Sequence, residues 1–468
     1  MFCTRKGRDD MLQTKDPKGF RSQVTELQEQ LAALRERMAR ARENCDQKHE
    51  KPPPAAVFRG EAHADDFSIE TLPVLERPPA TSDHGRDPAR FHVEEWFPGE
   101  EVETGYGKHF ESETFYPGHR QHGSADIGAL REIPATILDA ISNGAIASVP
   151  PHRWVFLDTE TTGLAGGTGT CAFLVGVGRI TDDGFRVRQF FMRDHGEEAS
   201  LLDALTRHLE PYQVLITYNG RTFDQPLLET RYRLNRARPP FSKLEHLDLL
   251  HGARRLWKLR FESCRLVELE RQVLGFERQG DVPGAMIPYI YFEYLRSGEM
   301  ARLMPVFHHN ALDILTLACL TGIVPHAFSD PANAPLRHGA ELAGIGRWLL
   351  NSGELEQTRI IFRRAIKAGL PDSLLFKTLF DLAGLERKLD ATDAALEVWN
   401  DLAACKNAFR VKALEELAKH HEHHSKDYAQ ALNATQKAIA LENSAALRKR
   451  EERLLKKTVK AAKNGQSA

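Results

Sequence analysis

Short apolar runs alternate with turn-forming residues over the middle third of the chain. Four of these runs have the length and composition of strands, at 154–157, 171–178, 185–192 and 214–218. Asp182-Asp183-Gly184 joins the second run to the third and predicts a hairpin. Leucines at helical spacing predict a helix before the fourth strand, and we expect another helix from Asp224. This order of elements predicts a mixed α/β layer structure.

Beyond residue 335 the hydrophobic spacing becomes purely helical. Three segments align at intervals of 36 to 37 residues, with Phe362, Trp399 and Thr435 at one shared position. Each segment follows another helical stretch, which is typical of tetratricopeptide-like hairpins with their period of about 34 residues. An unrelated helical bundle would give the same pattern, so both interpretations stay open.

Composition and periodicity divide the chain into five regions. Apolar residues within 20–45 alternate at spacings of three and four, which predicts an amphipathic helix that dimerises, docks on its own chain or frays. The aromatic, turn-rich stretch at 91–125 predicts short strands that lean on the α/β domain. The predicted regions are an N-terminal helix (1–50), a flexible linker (51–90), an α/β domain with a short extension (91–330), helical repeats (336–445) and a basic tail (446–468).

The overall composition is that of an ordinary globular protein. The 468 residues are 41% hydrophobic and 27% charged, which excludes collagen-like and wholly disordered chains. No uninterrupted apolar run approaches 18 residues, so we expect no membrane association. A polar N-terminus and six widely spaced cysteines predict a cytoplasmic protein with reduced thiols. A net charge of −2 argues against a generally basic nucleic-acid coat protein, but not against a local basic groove.

Two carboxylates lie two residues apart at the end of the first predicted strand. Asp158 and Glu160 therefore project from the same face of that strand. Neighbouring carboxylates at the end of a core strand repel each other and lose hydration, and a cation such as Mg²⁺ between them relieves both costs. Two solvated acids at a strand end would have the same sequence pattern.

Two further acids follow later predicted elements. Asp224 comes after the fourth strand at the start of a helix, where an aspartate also serves as an N-cap. His309 and Asp313 are four residues apart on an apolar helix and therefore share one face. A surface His–Asp pair would have the same spacing.

Taken together, the three acidic segments resemble the motifs of the DEDD exonucleases. They read Asp-x-Glu-Thr-Thr-Gly-Leu from Asp158, Asn-Gly-x-x-Phe-Asp-x-Pro-Leu from Asn219, and His-Asn-x-x-Asp from His309. The glycine-rich stretch at 165–176 and the stretch from Asp281 to Leu295 are similar to the YprB-type subfamily. That resemblance implies a ribonuclease H-like mixed sheet with flanking helices, followed by an all-α domain of tetratricopeptide-like repeats.

The resemblance also implies a metal-dependent 3′–5′ exonuclease. Carried over position by position, four carboxylates would hold two Mg²⁺ or Mn²⁺ ions: Asp158, Glu160, Asp224 and Asp313. These enzymes place a general base before the last acid, either a histidine five residues earlier or a tyrosine four residues earlier. Here His308 and His309 hold those two positions, and the shared helical face favours His309.

Residues beside the acids are candidates for contact with a nucleic-acid single strand or 3′ end. They are Thr161, Thr162, Gly163 and Leu164 after the first motif, and Tyr218 and Asn219 before the second acid. An arginine cluster follows the second motif and either tracks phosphates or forms a solvated helix face: Arg221, Arg231, Arg233, Arg236 and Arg238. Asp248 is interpreted as structural, with a fifth site acid as the alternative.

Two other functions fit the same residues. One is a structure-specific endonuclease that uses the same metal site. The other is a catalytically weak adaptor, in which the helical repeats bind a protein partner and the nuclease-like domain is a scaffold. The choice between DNA and RNA stays open, because residue types alone do not identify a group that reads the 2′-hydroxyl.

Overall fold

The computed structural model describes residue 93, residues 96–163 and residues 169–465. These residues form two compact units that divide between Ile361 and Phe362. The first unit is a sheet flanked by helices, and the second consists of helices. The predicted N-terminal helix, the linker and any dimer contact through that helix lie outside the described residues.

A seven-stranded mixed sheet forms the centre of the first unit, in the order β1-β2-β7-β6-β5-β8-β9. A separate pair, β3 with β4, follows β2 in the chain. The strands are β1 (Gly99–Thr104), β2 (Gly107–Pro117), β3 (Gln121–His122), β4 (Ala125–Asp126), β5 (Trp154–Thr161), β6 (Ala172–Thr181), β7 (Gly184–Phe191), β8 (Val214–Thr217) and β9 (Glu245–Asp248).

Helices flank this sheet and then continue alone to the end of the described chain. In the first unit they are α1 (Leu138–Ser142), α2 (Glu198–Leu209), α3 (Asp224–Leu234), α4 (Leu249–Trp257), α5 (Leu266–Leu269), α6 (Ile287–Ser297), α7 (Met304–Thr321), α8 (Val324–Ser329) and α9 (Gly339–Asn351). Helix α10 (Leu355–Ala368) contains the division between the units. The second unit continues with α11 (Asp372–Lys388), α12 (Thr392–Ala404), α13 (Arg410–His423), α14 (Tyr428–Leu441) and α15 (Ala445–Gly465).

The central strands confirm the fold class that the sequence predicts. β5 pairs antiparallel with β6 and parallel with β8, so Phe156 lies between Gly178 and Ile216. β6 and β7 form the predicted hairpin, which closes where Thr181 pairs with Gly184. Buried side chains on these strands explain their near-continuous apolar sequence, because a sheet covered by helices on both faces leaves little polar surface.

The aromatic extension belongs to the sheet, contrary to the expectation of short strands that lean on the domain. β2 pairs antiparallel with β7 from Phe110 opposite Phe191 to Pro117 opposite Gly184. β1 then pairs with β2. Without this pairing β7 would present a row of unpaired backbone groups, and the extension covers that edge. The sequence pattern missed it because one strand's periodicity does not indicate which neighbour it pairs with.

Helix α7 is a core helix that carries the third acidic motif. The stretch Met304–Ser329 is long and apolar enough to cross a membrane by length and composition, but most of it is buried inside the protein. Its approach to β6 depends on Gly176 and Gly178, which lack side chains. A Cβ at Gly176 would lie 2.1 Å from Asn310 Oδ1. This close contact places α7 directly over the strand that pairs with β5.

The second unit buries the residues that align in the sequence. Phe362, Trp399 and Thr435 are at most 1% exposed, so the shared position is a packing position in each segment. The described part of the basic tail belongs to α15, and Arg453 Nε in it donates to Glu422 Oε1 at 2.8 Å. This ion pair lowers the pKa of the buried Glu422 to about 2.

Candidate active site

The first two acids lie on β5 and face the same side of the sheet. Asp158 pairs in register with Gly176, and Glu160 pairs with Leu174 just before an irregularity in the strand. Asp158 Oδ2 accepts a hydrogen bond from Asn310 Nδ2 at 2.9 Å. Glu160 is 9% exposed, so its carboxylate has little access to water.

The second motif places Asp224 against the same strand. Asp224 is the first residue of α3 and is 9% exposed. Its Oδ1 accepts a hydrogen bond at 2.5 Å from the hydroxyl of Thr159, which lies between the two acids of β5. The N-cap interpretation is wrong, because Phe223 is the cap residue and the helix has no side-chain cap. The carboxylate of Asp224 is also close enough to Asp158 and Glu160 to raise their pKa values.

The third motif brings one histidine and one acid to the site. His309 is 8% exposed, and its Nε2 lies 3.7 Å from Asp313 Oδ2, while its Nδ1 lies 2.7 Å from Asp281 Oδ1. His308 is exposed. The shared helical face therefore places His309, and not His308, beside Asp313.

Burial raises the pKa values of Asp158, Glu160 and Asp224, and repulsion from neighbouring carboxylates adds to this effect. Loss of hydration is the largest cause for Asp158 and Glu160, whose pKa values lie well above the usual range, and the neighbouring carboxylates raise them further. Burial raises the pKa of Asp224 to about 6, although the Thr159 hydrogen bond opposes this shift. Such shifts are typical of a site that a cation completes.

A buried arginine compensates part of this negative charge. The side chain of Arg278 is 3% exposed, and its Nη2 donates to Asp313 Oδ1 at 2.5 Å. Its Nε donates to Glu270 Oε2 at 2.5 Å, and Glu270 in turn lies 3.0 Å from His122 Nε2. Glu270 is fully buried and begins a π-helical turn at Glu270–Leu274. A buried ionic chain thus runs from β3 to the last acid of the third motif.

Thr161 and Thr162, which follow the first acids, form hydrogen bonds within the protein. Thr161 Oγ1 donates to the carbonyl of Gly163 at 2.9 Å, and the Thr162 N–H donates to the carbonyl of Cys171 at 2.9 Å. All three predicted residues here are partly exposed. Leu164 lies outside the described residues. Their contact with nucleic acid stays a prediction.

Tyr218 and Asn219 follow β8 and are both partly exposed. The Tyr218 hydroxyl donates to the carbonyl of Cys264. Asn219 adopts a left-handed conformation, with φ 70°, and its N–H donates to Asp248 Oδ1 at 2.8 Å. Asp248 also accepts from the Leu250 N–H at 3.1 Å and caps α4, which supports its structural interpretation.

The arginine cluster after the second motif is largely engaged within the protein. Arg231 Nε donates to Glu198 Oε1 at 2.6 Å, and Arg233 pairs with Glu229 at 2.8 Å. Arg221 donates to the carbonyl of His246. The remaining two members, Arg236 and Arg238, are exposed. Most of the cluster therefore stabilises the fold around α3.

Sequence reasoning missed the partners that orient the acids. Asn310 lies beside His309 in the third motif, and Thr159 lies between the two acids of the first, so both stood next to a recognised residue. Asp281 begins the stretch that resembles the YprB-type subfamily. Arg278 carried no signal, because its partner in the site, Asp313, lies 35 residues further along the chain.

The donor set fits a divalent cation in its chemistry. Within residues 96–163 and 169–465, no group of three or more His, Cys, Asp or Glu residues is arranged to hold a metal ion. Instead, each of three site carboxylates accepts a hydrogen bond from another side chain: Asp158 from Asn310, Asp224 from Thr159 and Asp313 from Arg278. Four neighbouring carboxylates, two of them buried and two half-buried, are nevertheless the oxygen ligands that Mg²⁺ and Mn²⁺ prefer.

Comparison with known proteins agrees with this geometry. Residues 155–324 match the RNase H superfamily, a region that contains all four acids. A protein of Bacillus subtilis (strain 168), described as "Uncharacterized protein YprB", is 32% identical over 333 residues. The match covers 70% of this chain and 79% of that relative.

Proposed function

The chain belongs to the same family as YprB and contains an RNase H superfamily domain, and from this premise we propose that it is a metal-dependent 3′–5′ exonuclease of the DEDD type. The RNase H-like fold itself supports a nuclease that binds nucleic acid. The observation that carries the finer proposal is the convergence of Asp158, Glu160, Asp224 and Asp313, from β5, α3 and α7, close enough that their charges raise the pKa values of Asp158 and Glu160.

The four carboxylates would hold the divalent ions, Mg²⁺ or Mn²⁺. When bound, a pair of such ions supplies a hydroxide nucleophile at neutral pH and neutralises charge on the leaving oxygen. Asp313 would exchange its ion pair with Arg278 for this role, and Asp224 would retain Thr159 on one oxygen. Asn310 would keep Asp158 oriented, because its own carbonyl oxygen is fixed by Gln189 Nε2 at 3.0 Å.

His309 would act as the general base. The carboxylate of Asp281 lies 2.7 Å from Nδ1, so the proton of a neutral imidazole belongs on that nitrogen and the lone pair on Nε2. Nε2 is on the side of Asp313, where the attacking water would lie. Removal of a proton from that water is the step that a base at this position performs.

Substitution of the acids tests the proposal. A 5′-labelled single strand in Mn²⁺ reports cleavage as stepwise shortening of the labelled strand. We expect this shortening to be abolished in each of four variants: Asp158→Asn, Glu160→Gln, Asp224→Asn and Asp313→Asn. Far-UV circular dichroism should show an intact fold. The matched control is Asp183→Asn, an exposed acid in the β6–β7 turn, which should leave the rate unchanged. Full activity in any site variant would remove that acid from the proposed metal site.

The mode of cleavage is tested with a circular single strand, which has no 3′ end. An exonuclease leaves the circle intact and degrades the linear form of the same sequence. Cleavage of the circle would instead identify a structure-specific endonuclease. If the wild-type protein and Asp158→Asn are equally inactive on every DNA and RNA substrate, the adaptor interpretation replaces the nuclease.

A further inference from the structure

A basic pocket lies between α4 and α9, outside the carboxylate site. It has a volume of about 310 Å³. We define it by four cationic side chains and one aromatic side chain: Arg254, Arg255, Lys258, Arg347 and Trp348. The rest of its lining is polar or apolar and contains no Asp or Glu. All of its residues belong to the first unit.

Close packing of two helices creates this pocket. Gly344 of α9 faces the backbone of α4, and a Cβ there would lie 2.2 Å from the carbonyl oxygen of Arg255. The missing side chain lets the two backbones approach. Arg347 and Trp348, one turn further along α9, are thereby brought beside Arg255 and Lys258.

The positive charge of the pocket is not neutralised within the described chain. No described acid forms an ion pair with Arg254, Arg255, Lys258 or Arg347, whereas many other surface arginines have one. The Nε atom of Arg347 is buried and has no hydrogen-bond partner among the described residues. Four like charges around one cavity repel each other, and an anion in the cavity removes that repulsion.

Trp348 distinguishes this pocket from a simple phosphate site. Its ring packs edge-to-face on Phe328, with centroids 4.9 Å apart and planes at 83°, so the indole is held in place. The side chain is nevertheless partly exposed and lines the pocket. An immobilised aromatic ring among cations is the arrangement on which unpaired bases stack while the backbone meets the positive charges.

Helix α4 connects the pocket to the carboxylate site. It starts directly after Asp248, whose Oδ1 accepts a hydrogen bond at 2.8 Å from the N–H of Asn219 in the second motif. Arg254 and Lys258 follow Asp248 by six and ten residues, which corresponds to about 9 to 15 Å along a helix axis. This is the length of roughly three to four nucleotides at about 3.4 Å each. A strand that passes Asp248 can therefore span the length of α4 within a few nucleotides.

We propose that the pocket binds the phosphodiester backbone and one base of a single-stranded nucleic acid, a few nucleotides away from the end held at the carboxylates. This inference rests on the proposed nuclease function, because the strand at the carboxylates is its substrate. The pocket would fix the register of that strand and make longer strands bind more tightly than short ones.

Binding of an oligonucleotide without cleavage tests the pocket. The full chain in EDTA is titrated against a 5′-fluorescein 12-nucleotide single strand, and anisotropy gives Kd at several salt concentrations. For Arg255→Gln/Lys258→Gln/Arg347→Gln we expect Kd to rise on the order of tenfold at low salt. The slope of log Kd against log salt should fall by about 2, because each lost phosphate contact contributes about 0.7.

A control variant removes the same charge from arginines that have ion-pair partners. Arg207, Arg271 and Arg302 are exposed and pair with Asp203, Glu268 and Glu293, respectively. The triple Gln variant at these three positions should keep the wild-type Kd and salt slope. Equal Kd and slope in the pocket variant and the wild type would overturn the proposal.

Two further arms separate the ligand classes. The first is a calorimetric titration with inorganic phosphate. If the wild type binds phosphate and the pocket variant does not, while both bind the oligonucleotide equally, the pocket is a free-phosphate site and the proposal is overturned. In the second, the anisotropy titration is repeated with a duplex. If substitution of the pocket residues weakens duplex binding as much as single-strand binding, the single-strand assignment is contradicted. If the wild-type protein binds the strand in EDTA but never cleaves it when Mn²⁺ is added, the nuclease function is refuted. The proposed binding of the strand by the pocket is then still supported by the loss of affinity in the pocket variant.

Discussion

The carboxylates of the site are costly to the folded protein when no cation balances them. Asp224 shows this most simply, since burial raises its pKa from 3.8 to about 6. A group with a raised folded-state pKa contributes its stability below the unfolded-state pKa and loses that contribution as pH rises through the folded-state value. The chain therefore gives up stability near neutral pH to keep an ionisable acid at this position.

Asp224→Asn should make the metal-free protein more stable near neutral pH. In EDTA we expect the free energy of unfolding of the wild type to fall between pH 4 and pH 6. The free energy of unfolding of the variant should fall less over the same range. Above pH 6 the variant should be more stable, by up to about 3 kcal/mol for a shift of about two pKa units. Urea unfolding at pH 5 and pH 7 measures this. A variant less stable than the wild type at pH 7 would contradict the assignment of the cost to Asp224.

The two adjacent histidines should differ sharply in their effect on catalysis. His309→Ala should slow turnover by at least about a hundredfold, because it removes the proposed base between Asp281 and Asp313. His308→Ala should change the rate little, since His308 is exposed. Single-turnover cleavage at saturating Mn²⁺ gives both rates. The opposite order would transfer the role of base to His308.

At the scale of elements, the site depends on how closely α7 packs on β6. Asp158 and Asp313 lie on different elements, and the bond from Asn310 to Asp158 holds these elements in one arrangement. Gly176 permits that bond, because any side chain there would occupy the place of the Asn310 carboxamide. The strand and the helix are therefore joined at the point where the acids meet.

Gly176→Ala should impair cleavage more than stability. The added methyl group would meet Asn310 Oδ1 and displace the residue that orients Asp158. Overpacking of this kind costs about 1 to 3 kcal/mol. Gly178→Ala is the matched control, because its Cβ would meet only the side chains of Ile314 and Phe185 at 2.4 to 2.5 Å.

We expect both glycine variants to unfold at lower urea concentrations, but only Gly176→Ala to lose most of its single-turnover rate. Equal rates in the two variants would show that the Asn310 bond does not control the site.

For the whole molecule, the excess of negative charge at the carboxylate site predicts that divalent cations stabilise the folded state. Arg278 is shared between Asp313 and Glu270, so it cannot balance the other three acids of the site. A ligand that binds only the folded state adds stability as its concentration rises, about 2.7 kcal/mol at a hundred times its Kd.

Mn²⁺ should therefore raise the melting temperature of the wild-type chain by several degrees. The variant Asp158→Asn/Glu160→Gln should melt at a higher temperature than the wild type in EDTA and gain little from Mn²⁺, because it has lost both the repulsion and the ligands. Differential scanning calorimetry with EDTA or Mn²⁺ measures both effects. An equal shift in the two proteins would place metal binding elsewhere.

Local pattern was sufficient for the parts of this protein that depend on neighbours in the chain. Alternation and turn residues predicted β5, the β6–β7 hairpin, β8 and the helices between them, because the side-chain period of a strand or helix is a local property. The same pattern missed β9, a four-residue strand of mixed polarity, and the pairing of β2 with β7.

The identities of the four candidate acids came from the sequence by itself, whereas their partners were decided only by the tertiary structure. Arg278 reaches Asp313, and Arg255 meets Gly344, across 35 and 89 residues of chain. Such contacts depend on the angle and the distance at which two elements pack, and the periodicity of one element determines neither. The ionic chain behind the acids and the basic pocket therefore became visible only once the helices were placed on the sheet.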